Sequence, residues 1–146
     1  MTTRAELSEI KADEDGHTEL MRAALQGDAG AVQELLAGEA DVNAKDGEGR
    51  TALMFAVTNM HTDIAMELLD HGADVNATAK DGGTALMLAA SSGDTKSVRA
   101  LLNKGADPSG RYIKTGQTAL MLAKDNDHAD IVELLSDGRS QTARKA

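Results

Sequence analysis

A short phrase returns four times along the chain, and its regularity restricts the possible folds more than any other feature. It reads Thr18-Glu19-Leu20-Met21, Thr51-Ala52-Leu53-Met54, Thr84-Ala85-Leu86-Met87 and Thr118-Ala119-Leu120-Met121, at steps of 33, 33 and 34 residues. A second phrase keeps the period: Ala-Asp-Val-Asn at Ala40 to Asn43 and Ala73 to Asn76, altered to Ala106-Asp107-Pro108-Ser109 at its third appearance. Self-similarity at such a period marks a stack of supersecondary units, none of which can bury its apolar face alone. Composition agrees with this. One Phe, one Tyr and no Trp in 146 residues leave Ala, Leu, Val and Met to build the core, which suits thin repeated layers better than one thick centre.

Within a unit, the Thr sets a capping hydroxyl before a short apolar run such as Ala52 to Val57, the signal for a helix start. A break at Asn59-Met60-His61 or Ser92-Gly93-Asp94 is followed by Ile64, Leu68 and Leu69, or by Val98, Leu101 and Leu102, at helical spacing. Gly72 and Gly105 stand where the second helix needs a left-handed residue to end on. Stretches such as Ala77 to Gly83 are polar and Gly-rich, as an exposed turn should be.

In this order and spacing the units resemble the ankyrin repeat, whose pattern is a β-turn, a Thr-Pro-Leu-His helix start, an Ala-Ala pair, a Gly-His turn, a Leu-Leu helix and a Gly-Ala-Asp-Val-Asn exit. The resemblance implies an all-α repeat fold, an ankyrin-like solenoid of stacked helix pairs with projecting β-turns. It is laid out as one domain over 1–138: a cap at about 1–12, repeats at about 13–45, 46–78, 79–111 and 112–138, and a tail over 139–146 expected to be disordered. Ala5 to Lys11 would form the capping helix, with Leu7 and Ile10 facing the first repeat. Lys124 stands where earlier units have Ala24, Val57 and Ala90, a charge suggesting that no fifth repeat follows. Ala or Glu replaces the family's Pro, and Met21, Met54, Met87 and Met121 replace its His, which removes the Thr-His pairing but keeps good helix formers. This Ala-Leu-Met start resembles that of bacterial ankyrin proteins.

The chemistry available is narrow. A formal charge of −9 opposes binding to phosphate backbones, so nucleic acid is not expected as a partner. Without cysteine there is no disulfide framework and no thiolate metal site. No stretch of 18 apolar residues and no apolar leader in Met1 to Ile10 is present, so no membrane association is expected and, if Met1 is the native start, a cytoplasmic location is. No nucleophile motif occurs, and the protein is expected not to be an enzyme. His61 and His128 match the Gly-His turn, where a hydrogen bond would tie the two helices together, while His17 and His71 are expected to be solvated. Gly47-Glu48-Gly49 lacks the context of a nucleotide loop, and Asp13-Glu14-Asp15 lacks the spaced ligands of a calcium loop. No metal and no cofactor are expected. The four Met are read as packing; the competing reading is a carrier or sensor holding a small molecule, metal or haem on the Met or His positions.

The resemblance also implies that the chain acts by binding, or inhibiting, another protein on the concave side, where turn tips and first helices are presented. Carried across by position, that side holds Lys45, Glu48 and Arg50 with Thr58 and Asn59, then Thr78, Lys80 and Asp81 with Ser91 and Ser92. Last come Arg111, Tyr112, Lys114, Thr115 and Gln117 with Asp125 and Asn126. Phe55, Leu88 and Leu122 share one variable position of the first helix, where the first unit has Arg22, and are expected either to pack between repeats or to form an apolar strip on the groove floor. The last turn is set apart by Tyr112 and Ile113 between basic residues, which makes Tyr112 the candidate anchor, with folding back over the last repeat as its alternative. A monomer is expected.

Overall fold

The structure, a computed structural model, describes residues 13–136; the expected capping helix at Ala5 to Lys11 and the tail at 139–146 lie outside the described residues. Eight helices in four pairs follow one another: α1 (Glu19–Gln26) and α2 (Ala29–Ala37), α3 (Ala52–Thr58) and α4 (Thr62–Asp70), α5 (Ala85–Ser92) and α6 (Thr95–Asn103), α7 (Ala119–Asp125) and α8 (129–136). Among the described residues there is no strand, and no helix is long and apolar enough to cross a membrane.

The first helices begin where the Thr residues predict. Thr18, Thr51, Thr84 and Thr118 are extended at the N-cap, and each hydroxyl accepts the N–H of the Met three residues on, at 3.2, 3.4, 3.3 and 3.3 Å. In α1 the Met21 sulfur also accepts the Thr18 N–H at 3.4 Å, taking the place of the Glu in a capping box. The second helices have a different device. Asp28 and Asp94 cap α2 and α6 by accepting from Ala31 N and Ser97 N, both at 3.1 Å, whereas His61 gives α4 no side-chain cap.

Helices this short are marginal alone and depend on stacking. First helices pack directly on the first helices of neighbouring pairs and on their own second helices, while second helices meet one another more sparsely. Small side chains make the close approach possible: Ala23, Ala56, Ala89 and Ala123 are buried in the row where α1, α3, α5 and α7 meet. Leu20, Leu53 and Leu86, each at 1% exposure, and the sealed Met21, Met54 and Met87 fill the space beside them. The packing reading of the methionines therefore holds for three of four. Met121 is 43% exposed, and Lys124 is exposed where Ala24, Val57 and Ala90 are fully buried, because both stand on the side of α7 that the following repeat covers in the earlier pairs.

Gly72 (φ 88°) and Gly105 (φ 90°) are left-handed where expected. In the first repeat the glycine comes one residue early, at Gly38, and Glu39 is forced to φ 63°. A side chain in that region costs about 1–2 kcal/mol, and glycine's greater freedom in the unfolded chain takes back part of the gain. Glu39→Gly is therefore expected to stabilise the protein by about 0.5–1 kcal/mol in denaturant titration. Leu86→Ala, in a central layer, is expected to cost about 2–5 kcal/mol; a loss under about 0.5 kcal/mol would mean that this layer is not the core.

Candidate partner-binding face

The turns between pairs are closed by paired backbone bonds. Gly16, Gly49 and Gly82 donate to the carbonyls of Asp13, Asp46 and Ala79 at 2.9, 3.0 and 2.9 Å, and Gly116 donates to Tyr112 at 2.8 Å across a turn longer by one residue. Successive turns are then joined: Gly47 N to Asp15 O, Lys80 N to Glu48 O and Ile113 N to Asp81 O, at 2.8, 2.9 and 2.8 Å. The turns come so close that a Cβ on Gly82 would fall 2.4 Å from the Arg111 carbonyl. Four projecting turns thus form one hydrogen-bonded row.

Just before each turn in the chain, the Ala-Asp-Val-Asn phrase supplies a second set of rungs. Asn43 donates to Gly72 O at 3.1 Å and accepts Asp74 N at 2.7 Å, and Asn76 repeats this with Gly105 and Asp107 at 3.2 and 2.8 Å. In the third copy the Asn is replaced, and the Ser109 hydroxyl donates instead to Asp107 of its own turn at 2.7 Å.

The row of turns carries a buried anchor that the sequence reading passed over. Asp46 accepts from Arg50 N (2.8 Å), Glu48 N (3.0 Å) and Arg50 Nε (2.8 Å). Burial alone would push its carboxyl pKa up, but the bonds from Arg50 and Glu48 outweigh that and hold it below the ordinary Asp value. Above it the Arg50 guanidinium lies 5.0 Å from the Phe55 ring centre, and His17 meets the same ring edge-on at 5.6 Å. His17 was expected to be solvated; instead its two nitrogens sit 3.3 Å from Asp13 and 3.2 Å from Asp46. Asp13 in turn accepts the N–H groups of His17 and Asp15, the first of which does most to lower its pKa. These bonds also account for the close grouping of Asp13, Asp15 and His17. A sign was available in the sequence: Asp13 and His17 stand one repeat before Asp46 and Arg50.

Lys45, Glu48, Thr58, Asn59, Lys80, Asp81, Arg111, Lys114, Asp125 and Asn126 are exposed, and Arg50, Phe55, Leu88, Ser91, Ser92, Tyr112 and Gln117 are half-buried. Several are engaged within the protein. Lys45 donates to Thr78 O (3.2 Å), Ser92 to Val57 O (3.1 Å) and Gln117 to Asp125 (2.9 Å). Leu122, at 8% exposure, belongs to the core and does not extend an apolar strip beyond Phe55 and Leu88. Leu25, at 44% exposure in the position equivalent to Thr58 and Ser91, is an apolar contribution from the first repeat that the sequence reading missed. Tyr112 lies against Gly83, where an added Cβ would be 3.0 Å from its ring, and burial, aided by the Asp81 charge, pushes its hydroxyl pKa up. Ile113 is 75% exposed at the tip.

The histidine expectation needs correction as well. His61 and His128 do not tie together the helices of their own repeats; their Nε2 atoms meet Leu25 O (3.2 Å) and Ser91 O (3.1 Å) of the repeats before.

With helix pairs, turn row and rungs in place, the comparison with known families is direct: the profile described as ankyrin repeats (3 copies) matches residues 20–112 and 78–145. The chain belongs to the ankyrin-repeat family. Individual curated proteins give no match. Ankyrin repeats are generally protein–protein interaction modules and are typically non-catalytic.

Because the Asp46 pKa is lowered on folding, its contribution to stability is complete above the unfolded value of about 3.9 and is lost as pH falls through the lower folded value. Asp46→Asn is expected to cost about 1–3 kcal/mol at neutral pH, and the variant should lose less further stability than the parent on acidification below about pH 4. Equal acid sensitivity in the two proteins would remove Asp46 from this role.

Proposed function

We propose that this ankyrin-repeat protein is a non-enzymatic module that binds or inhibits one partner protein on the face made by its turns and first helices. The observation that carries the reading is the register of that face. Equivalent positions recur once per repeat on a backbone tied by turn-to-turn hydrogen bonds, so a partner would meet a surface already in its binding shape and lose little by ordering it. The face mixes polar side chains, Lys45, Glu48, Asn59, Lys80 and Asp125 among them, with half-buried or exposed apolar ones, Leu25, Phe55 and Leu88. Such a mixture suits a partner that presents apolar anchors within a polar rim. Sequence reasoning gave the anchor's part to Tyr112; its contact with Gly83 divides that part with Ile113, the side chain presented to solvent.

The test is capture of the partner from the native cell extract, identification by mass spectrometry and titration of the purified pair. Thr58→Arg and Ser91→Arg, on the first helices, are expected to weaken affinity at least about ten-fold with little change in melting temperature. Met66→Arg, an exposed site on the second helix α4, should leave affinity as it is. If Met66→Arg abolished binding while the first-helix variants bound normally, the binding face would be the other one.

A further inference from the structure

The four turns are ordered by charge. The first, 13–17, holds three acids and no Lys or Arg; the second, 45–50, holds two of each sign; the third, 78–83, one of each; the fourth, 111–117, two bases and no acid. The acidic end and the basic end of one row therefore belong to the same molecule. Their shapes differ in a matching sense. At the acidic end a depression is lined by Gly16 and Gly47 together with Glu14, Asp15, His17 and Glu48. Arg50, which also lines it, is held by Asp46 and Phe55. At the basic end Ile113 stands 75% exposed between Arg111 and Lys114, and Asp81, the acid beside Tyr112, is turned onto the Gly83 N–H at 2.8 Å.

We propose that two copies of this chain associate about a two-fold axis with their rows of turns antiparallel. The fourth turn of each copy meets the first turn of the other, with Ile113 entering the depression beside Gly16 and Gly47 and Arg111 and Lys114 facing Glu14 and Asp15. The second and third turns, each balanced in charge, meet across the axis. A patch that carries both halves of its own complement is what a closed two-fold contact requires. The occupant is a second copy because the donor and the receptor of the contact lie on one chain; an unrelated acidic or basic partner would need only one end. This departs from the monomer expected from sequence, and it must overcome the repulsion between two chains of charge −9. At an ionic strength of about 0.1–0.15 M the Debye length of about 8–10 Å screens the distant charges and leaves those in contact. The contact takes the same row of turns, with Ile113, that the partner-binding reading uses, so a second copy and the partner would compete for it. The association test needs this chain alone, so its failure is distinguishable from failure of that reading.

Light scattering on the full chain, after size exclusion at about 0.1 mM protein and near-physiological salt, is expected to give a mass rising from 15.2 kDa toward twice that with concentration. It should return to the single-chain mass near 1 M salt, where the Debye length is about 3 Å. Glu14→Lys with Asp15→Lys, and separately Arg111→Glu with Lys114→Glu, should each weaken association at least about ten-fold, since like charges then face one another. An equimolar mixture of the two variants should restore the dimer, because each supplies the end that the other lacks. Circular dichroism melting of each variant checks that the fold survives, and Ile113→Ser should weaken association without touching the charges. A parent protein that stays at 15.2 kDa at every concentration, or a mixture that stays monomeric, would overturn the proposal. So would assemblies that grow beyond two copies, since they would indicate an open head-to-tail contact.

Discussion

Every element of this protein depends on one constraint: a pair of helices of seven to nine residues cannot hide its apolar side without the next pair. The row of Ala23, Ala56, Ala89 and Ala123 answers that constraint, since a methyl group lets neighbouring first helices approach closely enough for Leu and Met on either side to seal the gap. The scarcity of aromatic residues follows from the same geometry. A ring at the alanine positions would push the pairs apart, and the one Phe is placed on the face, beneath Arg50, and not between the layers.

Apolar stacking alone would let one layer slide or rotate on the next, because it is not directional. The polar contacts between repeats supply direction: the turn-to-turn backbone bonds and, just before each turn in the chain, the Asn43 and Asn76 rungs. In the connection from α5 to α6 lies Asp94, a buried carboxylate that forms no ion pair among the described residues. It accepts from Ser97 N, from the Ser97 hydroxyl and, across the repeat boundary, from the Thr62 hydroxyl at 2.9 Å. Directional bonds of this kind make the curvature of the stack a definite quantity, and the face that results is a preformed one.

The helix starts were legible because a Thr cap acts over three residues, and the period because it is repeated. Contacts made across the period were not legible from a single unit. His17 reads as a turn histidine until Asp46, Arg50 and Phe55 from the next repeat are placed around it. Leu122 and Phe55 occupy the same position of the repeat, yet Leu122 is buried and Phe55 half-buried, a difference no propensity contains. Met121 has the identity of its buried equivalents but stands in the last described pair and is 43% exposed. Local signals give the elements, and the position of a unit within the stack decides what its side chains touch.

The Gly-His turn shows why reading one unit at a time misleads. His61 bonds back to Leu25, and its ring fills the space over Gly27, where an added Cβ would lie 2.7 Å from Cε1; His128 stands in the same relation to Ser91 and Gly93. The glycine that a histidine requires is therefore the one in the repeat before it. Here the two residue types alternate, with Gly27-Asp28 and Gly93-Asp94 in the first and third repeats and Met60-His61 and Asp127-His128 in the second and fourth. Met60 and Asp127 keep the left-handed backbone, at φ 59° each, without being glycine. Met60 can do so because the residue that stands to it as His61 stands to Gly27 is Asp94, whose carboxylate turns inward to Ser97 and leaves the Met side chain half exposed to solvent. Among the described residues, glycine stands at this turn where a histidine ring lies on it and another residue where none does, so what this turn requires is set by the contact between two repeats and not by the repeat itself.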